Sequence, residues 1–160
     1  RNDIGTSNHL TKPNTTIETS LSKQTKGIAT IFIGQNGGYE SPQELLEQID
    51  LFLAHKGDSN FIIITSHGNG SNEVVAPIKG KYGDRVIDFK KYMATKAISD
   101  AIEYGLLPDD GSFPTNQDIE LMSNNKAPAS LLIDTVHLNP IGYTLLGKLR
   151  YKKGKELGYW

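Results

Sequence analysis

The chain contains no cysteine among its 160 residues. That absence excludes disulfides, thiolate catalysis and Cys-ligated zinc, and it leaves the redox compartment open. Long apolar runs are missing too. Nothing approaches the roughly 20 residues of a membrane span, and no charged-then-apolar start reads as a signal peptide. A soluble chain with no membrane span is expected. Neither sign of charge dominates, with 17 basic against 18 acidic side chains and a formal net charge of -1. Without a basic face, nucleic acid and anionic membrane surfaces are poor partners. Histidines are few, and His9, His55, His67 and His137 include no i, i+4 pair of the kind a helical zinc site uses. Neither a metal nor a cofactor is expected.

Hydrophobic residues make up 37% of the chain and charged residues 22%. At this length one domain over residues 1–160 can bury a core of its own. Residues 1–26 are rich in Thr, Ser, Asn and Lys and read as loop, with a short helix near Ile17 to Lys23. Ile28 to Gly34 is a short β-branched run ending in glycine, the pattern of a buried parallel strand. Ser41-Pro42-Gln43-Glu44 is a capping box with proline at the first helical position. Leu45, Leu46, Ile49, Phe52 and Leu53 give the helix it opens an apolar face, and Lys56-Gly57 closes it. Phe61 to Thr65 is a second buried strand, which completes a right-handed βαβ unit.

Further on, Val74 to Lys81 is ambiguous and Val86 to Phe89 reads as a third strand. Residues 90–104 carry apolar side chains at helical spacing, residues 108–116 are turn-rich, and a short helix follows from Gln117 to about Asn124. Alternating buried strands and amphipathic helices predict an α/β fold, a three-layer α/β/α sandwich on a mostly parallel, flavodoxin-like sheet. Ligands of such sheets bind at the carboxyl ends of the strands. No glycine-rich phosphate loop follows either clear strand, which argues against a phosphate-bearing ligand.

The stretch with most chemical content is Asp134-Thr135-Val136-His137-Leu138-Asn139-Pro140-Ile141-Gly142-Tyr143. Asn139-Pro140 starts a helix, with Asn as N-cap and Pro at the first position, and Ile141, Leu145, Leu146 and Leu149 recur at helical spacing. The acid three residues before the histidine therefore sits on a strand-to-helix corner. A general base needs one ring nitrogen free for the reacting proton and the other held by an acceptor. Asp134 fits the acceptor and His137 the base.

This run resembles the last block of the SGNH (GDSL-type) hydrolases, whose Asp-x-x-His supplies two members of a serine triad. The following Asn, Gly and Tyr fit as well. The resemblance implies an oxyanion donor from a Gly-x-Asn-Asp block, and Gly34-Gln35-Asn36-Gly37 is similar to it except in its last residue. Asn36 would then be a side-chain donor, a role typically worth about 2.7–4 kcal/mol of barrier. Gly5, in Gly5-Thr6-Ser7, is similar to the end of the block that gives the family its second, backbone donor.

The family's nucleophile sits in a Gly-Asp-Ser run after its first strand. Gly57-Asp58-Ser59 has the letters but precedes a strand, so it faces the amino edge, away from His137. Ser7 has too little chain before it, and Ser66 falls where the family has an ordinary strand-end residue. The nucleophile is unknown. Residues 1–160 match the second and larger part of such a hydrolase, and the first residue is Arg1 rather than Met. An N-terminal fragment or a partner chain is therefore expected to fill the sheet and supply the serine.

The resemblance implies a serine esterase acting on acylated carbohydrate or another small ester, in a setting such as a phage tail or a cell-surface protein, extracellular or virion-associated. The competing expectation is an inactive SGNH-like module for carbohydrate binding or assembly. Tyr151, Tyr159 and Trp160 could contact sugar rings, but a C-terminal aromatic docked on the core is the simpler expectation.

Overall fold

The computed structural model describes residues 27–34, 38–57, 59–68 and 72–160. Its elements are β1 (Ala29–Ile33), α1 (Pro42–Lys56), β2 (Phe61–Thr65), α2 (Asn72–Tyr82), a 3-10 turn (Gly83–Arg85), β3 (Val86–Ile87), α3 (Phe89–Thr95), α4 (Ala97–Glu103), α5 (Asn116–Ser123), a second 3-10 turn (Ala129–Leu131) and α6 (Pro140–Glu156). The fold is α/β, with a small parallel sheet in the order β1-β2-β3. The helix predicted near Ile17 lies outside the described residues, as do Gly5, Ser7 and Asn36.

Strand β2 organises the rest. Its sequence FIIIT is buried at every position, because a strand without polar alternation cannot leave either face in water. Ile62 and Ile64 enter a cluster with Phe89, Met93, Leu131 and Leu145, whereas Phe61 and Ile63 enter another with Leu45, Ile49 and Val74. Burying one such isoleucine fully contributes about 1.5–3 kcal/mol. In β1 burial alternates instead, and Phe32 is 43% exposed. Among the described residues β1 pairs with β2 alone.

Local chemistry sets the helix ends. Ser41 Oγ accepts the Glu44 N–H at 3.2 Å, Pro42 lies in the first turn, and Gly57 at φ 79° stops α1 by donating to the Leu53 carbonyl. The reciprocal half of the capping box falls one residue early, since the Glu44 carboxylate takes the Glu40 N–H at 2.6 Å. The buried face of α1 is also narrower than predicted: Leu45, Leu46 and Ile49 are buried, but Phe52 is half-exposed.

The ambiguous stretch after residue 73 is helix α2, with Pro77 inside it. The third strand is shorter than predicted, because the Asp88 carboxylate accepts the Lys91 N–H at 3.1 Å and Phe89 opens α3. The single helix predicted over 90–104 is interrupted at Lys96, whose φ of -133° lies outside the helical range. At the C-terminus Trp160 stacks on Tyr151 with ring centroids 6.1 Å apart, and the Tyr159 hydroxyl accepts the Phe61 N–H at 3.3 Å. These aromatics dock on the body of the protein.

Helix α6 begins as predicted, with the Asn139 side-chain oxygen accepting the Gly142 N–H at 3.0 Å and Pro140 in its first turn. Gly142 lets this first turn press against the chain that enters the Asp134 loop. A Cβ there would lie 2.7 Å from the Leu131 carbonyl oxygen and 3.0 Å from Leu138. Gly147, one turn on and exposed, has nothing within 4 Å of such a Cβ. Gly142→Ala should therefore destabilise by about 1–3 kcal/mol. Gly147→Ala should stabilise by about 0.5–1 kcal/mol. Equilibrium denaturation of the two variants checks the contrast.

Candidate functional site

The site is built on the carboxyl edge of the sheet. At the end of β2 the Thr65 hydroxyl accepts the Phe89 N–H at 3.1 Å, with the Ile87 carbonyl at 3.4 Å as its own acceptor, which ties β2 to β3 and α3. Ser66 is 1% exposed and its Oγ accepts the Gly68 N–H at 3.0 Å. The Lys90 ammonium, on α3, donates to the Gly68 carbonyl at 3.1 Å. His67 is thus held between two anchored neighbours, with its ring edge-on to Phe89 at a centroid distance of 5.6 Å.

The Asp134 loop reaches this edge from the other side. Its approach is fixed by buried Asp118 of α5, whose carboxylate accepts the Ser130 N–H at 2.9 Å and hydroxyl at 2.7 Å, and the Thr115 N–H at 3.0 Å and hydroxyl at 2.8 Å. Burial pushes this carboxyl up, but the hydrogen bonds from Ser130 and Thr115 outweigh it and hold Asp118 below the ordinary range. Sequence patterning predicts a strand before the corner. A 3-10 turn stands there instead, followed by a single antiparallel bridge between Leu132 and Leu138.

Within the loop the Ile133 N–H donates to the His137 carbonyl at 2.8 Å. One oxygen of Asp134 accepts the N–H groups of Val136 and His137, each at 2.7 Å, and the other lies 2.8 Å from His137 Nδ1. A carboxylate can only accept, so Nδ1 carries a proton, and in the neutral imidazole Nε2 presents its lone pair. Both side chains are exposed, 72% for His137 and 52% for Asp134. Among the described residues nothing hydrogen-bonds His137 Nε2. The His137 N–H, then its ring, then the Val136 N–H hold the Asp134 carboxyl down at about 2.

The structure therefore brings Asp134 and His137 together, whereas Asn36 and Gly5 fall outside the described residues. Gly34 ends β1 with φ 97°, a left-handed conformation that glycine tolerates. Ser59 precedes β2, where its carbonyl accepts from Arg85 and Tyr159, so it lies at the amino edge. A cavity of about 630 Å³ adjoins the loop, lined by His67, Gln117, Lys126, Asp134 and Val136 among others. Asp134, Thr135 and Val136 of the loop line it, whereas His137 does not. Among the described residues no three His, Asp or Glu side chains are grouped to hold a metal ion, and no helix is long and apolar enough to cross a membrane.

His67 is the residue that sequence reasoning passed over. Its Nε2 lies 2.8 Å from the Val136 carbonyl, so it connects β2 to the Asp134 loop. The available signal was its place two residues beyond the end of a buried strand, on the edge where ligands bind.

No family model, curated protein or solved structure matches the chain. The chemistry rests on the geometry, which makes a prediction of its own. Because the folded value for Asp134 lies below the ordinary 3.8, its hydrogen bonds stabilise the loop above that pH and are lost as the pH falls toward about 2. The Asp134 Cγ resonance, followed by NMR from about pH 6 down to about pH 1, should show a midpoint near 2 rather than near 3.8.

Proposed function

We propose that Asp134 and His137 are the acid and the general base of an SGNH-type serine ester hydrolase. The observation that carries this reading is the 2.8 Å contact between Asp134 and His137 Nδ1, which leaves Nε2 open at an exposed loop on the carboxyl edge. In the reaction His137 takes the proton of a serine hydroxyl as it attacks an ester carbonyl, and Asp134 steadies the imidazolium that forms. The proton then passes to the departing alcohol. Water attacks the acyl-enzyme with His137 again as base, and the carboxylic acid leaves. Asn36 and the Gly5 N–H take the oxyanion in this scheme.

The serine comes from another strand. Strand β1 offers a free edge among the described residues, with Phe32 partly exposed beside it. A strand laid parallel on that edge, about 4.8 Å away, would end on the same side of the sheet as the Asp134 loop. It would also cover an edge that otherwise invites aberrant pairing. With helices packed against both faces of β2, this gives the three-layer, flavodoxin-like sheet of the SGNH hydrolases. An N-terminal segment or a partner chain carries the strand, and the substrate is an O-acetylated or short-acyl carbohydrate.

One observation favours a second reading. No described serine bonds the His137 ring, as in a module that keeps the fold to bind carbohydrate or assemble a larger particle, extracellular or virion-associated, without turnover. Hydrolysis of p-nitrophenyl acetate by the native protein separates the two. His137→Ala and Asp134→Asn should each lower kcat by about 10⁴-fold with the thermal unfolding midpoint nearly unchanged. Undiminished turnover in His137→Ala would exclude the triad.

A further inference from the structure

Asp134 and His137 are both exposed, on a loop whose own hydrogen bonds are mostly internal. Asp118 and Asn139 fix the two ends of such a loop but not its tip, and general-base catalysis is sensitive to errors of about 1 Å. The tip needs a hold of its own against the sheet. The side chain that spans the gap is His67, whose Nε2 lies 2.8 Å from the Val136 carbonyl, in the peptide that joins Val136 to His137. Resting on the catalytic reading above, we propose that His67 is a positioning residue, which holds the Asp134–His137 loop on the carboxyl edge through one N–H donated to the Val136 carbonyl.

The chemistry of the site specifies the tautomer. A carbonyl oxygen only accepts, so His67 Nε2 must carry the proton. Its Nδ1 is buried and, among the described residues, has no hydrogen-bond partner, a state in which the bare lone pair costs less than a second N–H without an acceptor. The neighbours also disfavour a second proton, since the Lys90 ammonium and the His137 ring both stand near. Burial is the largest influence and pushes the imidazole below its ordinary 6.5, against the opposing pull of the Val136 carbonyl. His67 is 8% exposed, and the edge-on contact of its ring with Phe89 of α3 fixes the ring plane. A donor with one tautomer, one orientation and anchored neighbours on either side, Ser66 and Gly68, is preorganised for the role.

The geometry dictates which replacements succeed. A glutamine side-chain N–H can reach the place of Nε2, whereas an asparagine N–H falls short, near the place of Nδ1. The experiment compares amide hydrogen exchange at Val136 and His137 in the wild-type chain, His67→Gln, His67→Asn and His67→Leu, with thermal unfolding as the check on global folding. Losing the tether should speed exchange of both amides roughly tenfold in the Asn and Leu variants, while the Gln variant stays close to wild type. Equal exchange in all four proteins overturns the inference, as does fast exchange in the Gln variant. Using Gln and Asn as a pair keeps the test decisive should His67→Leu fail to fold. In the native protein the same Asn variant should lose kcat for p-nitrophenyl acetate with KM retained and Gln should restore it, whereas an equal loss in both variants contradicts a tether. A wild type without turnover defeats the esterase reading alone, because the exchange pattern still decides whether His67 holds the loop.

Discussion

The constraint on which the structure depends is the complete burial of β2. Five residues with no polar alternation, Phe61 to Thr65, need cover on both faces, and their side chains divide between two clusters of different helices. The pairing on both sides of β2 is parallel, so each connection crosses over through a helix before the next strand begins. The same pairing sends every strand's carboxyl end to one edge. His67, Gly34 and the Asp134 loop belong to that edge, so the place where chemistry can occur is a consequence of how one strand is buried.

At that edge the chain trades surface freedom for a defined acceptor geometry. Asp134 is a poor candidate for a stabilising ion pair, being half-exposed, yet its two oxygens are occupied by two backbone N–H groups and one ring nitrogen. Those contacts organise the imidazole more than they stabilise the fold. Buried Asp118 does the structural part of the work by fixing Ser130, and Asn139 closes the other end by capping α6 and donating its amide to the Ser130 carbonyl at 2.8 Å. Gly142 completes the frame because any side chain there would strike Leu131. The loop is thus bracketed by a buried carboxylate, a helix cap and a close backbone approach, with His67 bridging its tip.

Much of this was legible in the sequence where the signal was local. The Ser41-Pro42 and Asn139-Pro140 starts, the Gly57 stop, the FIIIT strand and the facing of Asp134 toward His137 depend on nearest neighbours, and the structure has them all. What was not legible depends on distant partners. Phe89 fits the pattern of a strand, but the Asp88 cap turns it into the first residue of α3. Phe52 has the right helical phase for the core, yet the helix is rotated so that it meets water. The approach to Asp134 looks like a strand, but Ser130 is drawn to Asp118, and a 3-10 turn with a single bridge after it stands there. His67 gave no periodic signal, because its partner Val136 lies 69 residues further on.

In the proposed reaction His137 serves as the base for a serine borne on a strand at the free edge of β1. Fluorophosphonates mark such a serine covalently only when its base is in place, so the measurement is peptide mass mapping of the native protein, with any chain that accompanies it, after reaction with a fluorophosphonate. One phosphonyl adduct is expected, on a serine at the carboxyl end of a strand other than β1, β2 and β3, and it should be lost in His137→Ala. An adduct on Ser59 or Ser66, an adduct that persists without His137, or no adduct at all would contradict that reaction.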